Sequence, residues 1–295
     1  MVADTSGIDG RMQTETGHSY GTIVVCGGGC YGGYYVRQLA RARRAGALTA
    51  TQIVVVDRDP ACRVARLIDA IHQGDADAIA AHGWSMQRTE AQDSESHRDD
   101  GYEQLPIAFV TASWDAFFLR WFADCIRAPV TTPRDAVVPS PLMPNLLADW
   151  VASRLTVHRS AAPQRVPVSS PPDTPWARTG TEQSHYASFA TWMCPINCIE
   201  PPRCPETRAP RDWTMPAAVR IAAEAASDRG TPYDVIALFQ TTHRAFGVGM
   251  FDVANAVAAD RAIADSTARP VLRTLVASVS HCHGALAELV SEETR

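Results

Sequence analysis

Two sets of residues in this chain have types and spacings suited to chemistry. The first is a glycine loop. The apolar run Thr22-Ile-Val-Val-Cys26 leads directly into Gly27-Gly28-Gly29-Cys30-Tyr31-Gly32, a G-x-G-x-x-G pattern at Gly27, Gly29 and Gly32. In such a strand–turn–helix unit the first glycine permits the turn, the second lets backbone approach a pyrophosphate, and the third lets the helix pack closely. The phosphate then rests on the open amides of the helix N-terminus. A second apolar run, residues 53–56, ends in Asp57 and Arg58. The acid suits a ribose hydroxyl of NAD, and the arginine suits the 2′-phosphate of NADP. Gly27, Gly28, Gly29, Cys30, Tyr31, Gly32, Asp57 and Arg58 are therefore the expected dinucleotide contacts, with Cys30 at a helix start and Tyr31 able to stack on the cofactor.

The second set is Cys194-Pro-Ile-Asn-Cys198-Ile-Glu-Pro-Pro-Arg-Cys204-Pro, a C-x3-C-x5-C spacing with proline after two of the cysteines. If the prolines turn the loop back, three thiolates can face one centre, as an iron–sulfur cluster or a soft metal such as zinc requires. Any of His243, His281, Cys282 and His283, which follow two other expected strands, could supply a fourth ligand, and Cys282 is the one assigned. Two other readings stay open: reactive or redox thiols, and thiols that merely pack a proline-stiffened loop. His243, in Gln-Thr-Thr-His-Arg at the end of an expected strand, is the candidate general acid or base. The Ser-His-Cys-His-Gly stretch at 280–284 can open a final helix.

The segment 22–57 resembles the Rossmann-type NAD(P)-binding superfamily, including the nucleotide-binding domains that regulate potassium transporters and the dehydrogenase half of siroheme-forming enzymes. The resemblance implies a dinucleotide held by the glycine loop and Asp57. It reaches no specific family, and the cysteine loop lies outside it.

These residues need elements to position them. Helical periodicity over 34–44 follows the glycine loop, with Gly46 as a stop signal. Further helices are expected at 61–71, 114–126, 144–155, 216–227 and 251–265, and strands at 106–110, 136–138, 188–193, 234–240 and 271–278, about seven with the two above, with 285–290 completing the alternation. This alternation predicts an α/β protein with one doubly wound, mostly parallel, Rossmann-like sheet and helices on both faces. Residues 1–20 read as a polar, disordered tail, and 21–295 as a single domain. Mobile insertions are expected near 83–104 and 159–183, where polar residues, or Pro, Ser and Thr, replace periodicity.

Composition removes several alternatives. All 27 basic residues are arginine, so no lysine is present for a Walker-type phosphate loop, a pyridoxal Schiff base or a lysine general base. A net charge of -5 without a basic run gives no support to binding nucleic acid or an anionic membrane. No apolar run approaches the roughly 18 residues of a membrane span, and the expected location is cytoplasmic. In a reducing compartment the eight cysteines are not expected to form disulfides. The expected function is that of an NAD(P)-binding oxidoreductase with a cysteine-ligated metal or iron–sulfur site beside the dinucleotide cleft. It would act on a small-molecule substrate or a redox partner that the residues do not identify. Two alternatives stand beside it, a non-catalytic nucleotide-sensing module and an S-adenosylmethionine-dependent transferase.

Overall fold

The structure, a computed structural model, describes residues 17–83, 100–128, 134–190 and 194–292. Among them the chain forms an α/β protein of two mixed sheets. The single mostly parallel sheet expected from the alternation is thus corrected to two, each of six strands.

The first sheet contains β1 (His18–Cys26), β2 (Leu48–Asp57), β3 (Ile107–Thr111) and β4 (Arg134–Val138), followed later in the chain by β9 (Thr242–His243) and β10 (Gly249–Asp252). Its order is β3-β2-β1-β4-β10-β9. The first four strands are parallel, while β10 runs antiparallel to β4, and β9 to β10. The last four residues of β1 are all buried, as a parallel strand covered on both faces should be. Helix α1 (Cys30–Arg44) and helix α2 (Arg63–Gln73) supply apolar residues to one face, with Val36, Leu39, Val64, Leu67 and Ile68 in that core.

The second sheet contains β5 (Gln164–Val166), β6 (Trp176–Thr179), β7 (His185–Ser188), β8 (Val235–Gln240), β11 (Val271–Val279) and β12 (His283–Glu292). Its order is β6-β7-β12-β11-β8, with β5 also paired to β12. Only β8 and β11 run parallel; the other pairings are antiparallel. Helices α4 (Trp114–Arg127), α5 (Leu146–Arg159) and α7 (Ala254–Asp265) share one core with both sheets. A chain of edge-on rings, Phe122 to Trp150 to Phe239 to Phe251 at 5.0, 6.2 and 5.8 Å, ties that middle layer together. Each such pair adds about 0.5–1.5 kcal/mol beyond area burial. Helix α6 (Met215–Asp228) covers the far face of the second sheet, with Thr214 accepting a hydrogen bond from the Ala217 amide as its cap. The short α3 (Ala76–His82) follows α2, capped by Asp75.

Other expectations shift with this architecture. The segment 159–183 contributes β5 and β6, and the Ser169 amide donates to buried Glu288 at 2.8 Å. Phe251 belongs to β10, and the expected helix begins at Ala254. Residues 280–282 connect β11 to β12 and open no helix. β1 already begins at His18, inside the expected tail, whose first 16 residues lie outside the described ones. Most of the insertion expected near 83–104 also lies outside them, and Tyr102 at its end is buried in the core. Among the described residues, no helix is long and apolar enough to cross a membrane.

Candidate functional site

The carboxyl ends of the four parallel strands lie level. Cys26 pairs with Val56, Asp57 with Thr111 and Val25 with Val138. This is the edge at which open parallel sheets bind ligands, and the glycine loop leaves from it. Gly27 has a φ of +94°, where a side chain is strained. A β-carbon on Gly32 would lie 1.8 Å from the Gly27 carbonyl oxygen, and one on Gly28 would lie 2.2 Å from the Cys62 sulfur. Gly29 is different. No heavy atom lies within 4 Å of its would-be β-carbon, and it is the N-cap of α1 with no side-chain cap. Close internal packing explains Gly28 and Gly32, whereas the open space at Gly29 is what backbone needs to meet a ligand.

Asp57 sits beside this loop but is partly engaged. One carboxylate oxygen accepts the Gly28 amide at 2.7 Å and the other the Asp59 amide at 3.0 Å. Each oxygen has a second lone pair that can accept a hydroxyl. Arg58 is exposed just beyond β2, Cys30 is exposed, and Tyr31 is half-buried. Trp114, at the start of α4, donates its indole N–H to the Val56 carbonyl at 2.7 Å and lays its ring beside Gly27. Nothing in its sequence context sets it apart from the other aromatics of that helix.

A cavity of about 260 Å³ adjoins the loop. Cys26, Tyr31 and Tyr35 wall one side of it, and Cys194, Cys198, Cys282 and His283 another. Phe118, Phe239 and Phe251 supply apolar surface, and Glu200 and His243 add polar groups. Topology explains the meeting. β8 ends at Gln240 in the second sheet, and the chain crosses at Thr241 to become β9 of the first, where His243 pairs with Gly249. His243 therefore stands at the seam between the sheets.

His243 has a defined tautomer. Its Nδ1 lies 2.8 Å from the Gly247 carbonyl oxygen, which can only accept, so Nδ1 carries a hydrogen. Nε2 is then the nitrogen that faces Glu200, at 3.7 Å. The carboxylate of Glu200 is itself held by the His281 amide at 2.9 Å. Glu200 adopts a left-handed φ of +55°, which is costly away from glycine and is found where surroundings impose it. An acid inside the C-x3-C-x5-C loop was the signal that could have singled it out.

The structure gathers the cysteines as well. Cys194 lies 3.2 Å from Nε2 of His283, whose Nδ1 meets the Ser188 hydroxyl at 2.9 Å. Burial, with Cys198 and Cys204 nearby, pushes the Cys194 thiol up to about 11. Burial likewise raises Cys282 to about 12, with Glu200 adding to the effect. Cys204 is fully buried at the turn of the loop, its amide bonded to the Ala209 carbonyl. Burial works to raise that thiol, but hydrogen bonds from the Thr207 amide and hydroxyl and the Glu206 amide outweigh it, aided by Arg211, and hold it at about 7. Among the described residues, no three His, Cys, Asp or Glu side chains are placed to hold one metal ion as they stand. A single zinc at about 2.3 Å from each sulfur would require the loop to contract. Cys62 is buried at the N-cap of α2, against Gly28, and Cys125 packs against the core shared by the two sheets.

Residues 147–292 match the family model AF_1314_C, described as the C-terminal domain of an uncharacterized protein. That span runs from α5 to β12 and contains the cysteine loop, His243 and Cys282, but not the glycine loop. No curated protein and no solved structure matches the chain.

Proposed function

We propose that the protein is an NAD(P)-binding oxidoreductase whose dinucleotide lies across the glycine loop, with its reactive end directed to the cavity between the sheets. One observation carries this reading. The open backbone of Gly29 at the start of a 15-residue helix stands close in the chain to Tyr31, which lines a cavity with His243, Cys194 and Cys282. Gly27, Gly28, Gly29 and Gly32 with the first amides of α1 would receive the pyrophosphate, Asp57 or Arg58 the adenosine ribose end, and Tyr31 the wall beside the cofactor. A bound nicotinamide gives or takes a hydride.

The chain's own part is binding, proton handling and exclusion of water. His243, oriented by Gly247, presents Nε2 for a proton moving to or from a substrate oxygen, and Glu200 steadies the charged imidazole. The aromatic wall of Phe118, Phe239 and Phe251 keeps solvent from that exchange. Cys194, Cys198, Cys204 and Cys282 would serve as a ligand set for iron–sulfur or zinc only if the loop contracted, since no three of them converge on one ion as they stand. A cluster would supply electron transfer there, and zinc would polarise an oxygen or brace the loop.

Titration of the full chain with NADH, NADPH and S-adenosylmethionine, followed by calorimetry, tests the cofactor. Binding of a nicotinamide nucleotide supports the reading, and binding of S-adenosylmethionine alone overturns it. Turnover with a panel of aldehydes and ketones separates an enzyme from a sensing module, which would bind tightly and reduce none. In the Cys198→Ser variant metal content should fall while nucleotide binding persists; unchanged metal removes Cys198 from the ligand set.

A further inference from the structure

Cys194 differs from its neighbours in the cavity wall. Cys26 and Cys282 line the same cavity but are 2% and 1% exposed, whereas Cys194 is half-buried and has an imidazole against it. Nε2 of His283, which also lines the cavity, lies 3.2 Å from the Cys194 sulfur. The second sheet fixes that imidazole. His283 opens β12 and is the register partner of Ser188, the last residue of β7. Its Nδ1 lies 2.9 Å from the Ser188 hydroxyl, which is fully buried and accepts the Ala190 amide at 2.9 Å. A hydroxyl oxygen has two lone pairs, so it can take an Nδ1 hydrogen as well as that amide, and Nε2 is then bare towards the thiol.

A nucleophile within hydrogen-bond reach of a base, with the base oriented by a third group, is the arrangement of covalent catalysis. The thiol keeps its proton at rest and passes it to Nε2 as the sulfur attacks, as a serine does to its histidine. Metal ligation asks the loop to contract, whereas attack by Cys194 uses a contact that is already made. A base that takes a proton and can hand it on suits an acyl carbon, whose leaving oxygen or sulfur needs one. The cavity narrows the acyl group. Its volume of about 260 Å³ and its wall of Phe118, Val137, Leu146, Phe239 and Phe251 fit a short apolar chain. Among the described residues no arginine lines it, and the chain has no lysine, so an acyl group bearing a carboxylate or phosphate meets no cation there.

We propose that Cys194 is the nucleophile of an acyl-transfer site for short, uncharged esters or thioesters, with His283 as its base and Ser188 as the residue that positions the base. The activity needs neither nucleotide nor metal, so it stands or falls apart from the hydride chemistry proposed above. In the first half the sulfur–carbon bond forms, the carbonyl π pair moves to oxygen, and the thiol proton passes to Nε2. The carbonyl re-forms as the bond to the leaving oxygen or sulfur breaks, and Nε2 returns its proton to that leaving group. In the second half water adds to the thioester carbon and gives a proton to Nε2. The carbon–sulfur bond then breaks, the sulfur recovers the proton, and the free acid leaves.

The full chain, chelator-treated, freshly reduced and without nucleotide, would be mixed with the p-nitrophenyl esters of acetate, butyrate and hemisuccinate. Release of p-nitrophenol follows acylation, and intact mass with peptide mapping locates the acyl group. Expected are a burst of about one equivalent with acetate and an acetyl group on Cys194 that disappears once the ester is consumed. His283→Gln should slow acylation by about 10²–10⁴-fold. Ser188→Ala should slow it less and leave the half-saturating ester concentration unchanged, a split that a mere packing role would not give. Butyrate should react much faster than the anionic hemisuccinate. A wild type that stays unmodified, or that carries acetyl on Cys30 and not on Cys194, overturns the proposal, and this mapping depends on no variant folding. Acetylation of Cys194 at the wild-type rate in a folded His283→Gln protein overturns the role of the base. An acetyl group that persists overturns water as the acceptor, and hemisuccinate as fast as butyrate overturns the substrate class.

Discussion

Nε2 of His283 stands 3.2 Å from the sulfur of Cys194, and both groups are biased to their neutral forms. Burial, with Cys198 and Cys204, lifts the thiol to about 11, and burial lowers the imidazole. Cys26, Cys282 and Tyr35 share the bias, each raised by burial to about 12.

A thiol whose folded pKa lies above its ordinary 9.0 binds its proton more tightly in the fold. Its stabilisation is complete below about 9 and is lost as pH rises through 11 and 12. Cys204, held at about 7, has the opposite sign: its contribution is present above 9 and lost as pH falls through 7. Chelator-treated, reduced protein should therefore lose thermal stability from about pH 9 upward, and the Cys204→Ser variant should flatten the slope between about pH 9 and 7. Melting curves across roughly pH 6–11 check both, and a pH-independent melting temperature above about pH 9 would contradict the first.

His243→Gln should lower kcat by about 10²–10⁴-fold while leaving the dissociation constant for the nucleotide unchanged, since a general acid or base acts on the reacting proton. Glu200→Gln should lower kcat less and shift its pH profile, because it acts through His243. Steady-state kinetics with parallel nucleotide titration is the check; equal loss of binding and rate would make the residues structural.

Phe239 is 1% exposed and joins Trp150 to Phe251 across the middle layer. Phe239→Ala should cost about 3–5 kcal/mol, the range for a buried aromatic removed from a core. Urea unfolding measures it. A cost under about 1 kcal/mol would mean that the two sheets do not share that core.

What the sequence made legible follows the chemistry of its residues. Glycine at 27, 29 and 32 after an apolar strand marks a strand–turn–helix unit, and the loop, α1 and β2 lie where the pattern put them. The clustering of Cys194, Cys198, Cys204 and Cys282 near strand ends was equally readable. The second sheet was hidden because two of its strands carry little hydrophobic signal: three of the four residues of β6 are exposed, and β7 is short. The apolar run through Phe251 fits a strand as well as a helix start, an ambiguity that periodicity does not resolve. Arg211 left no trace, because an arginine after a proline reads as surface until the loop is seen to turn it inward.

Gly32→Ala should destabilise the protein by about 1–3 kcal/mol or more, since the new methyl meets the Gly27 backbone. Thermal and urea unfolding will show it, and a neutral effect would mean that the loop and helix are not packed as described.

The most direct test of the central claim is Gly29→Val, read by nucleotide titration alongside thermal unfolding. The open space around Gly29 predicts a folded protein that loses no more than the roughly 1 kcal/mol of a poorer helix N-cap, with affinity for NADH or NADPH weakened by at least about 2.7 kcal/mol, roughly a hundredfold. A stably folded Gly29→Val protein that binds the nucleotide as tightly as wild type would show that the glycine loop is not the cofactor site.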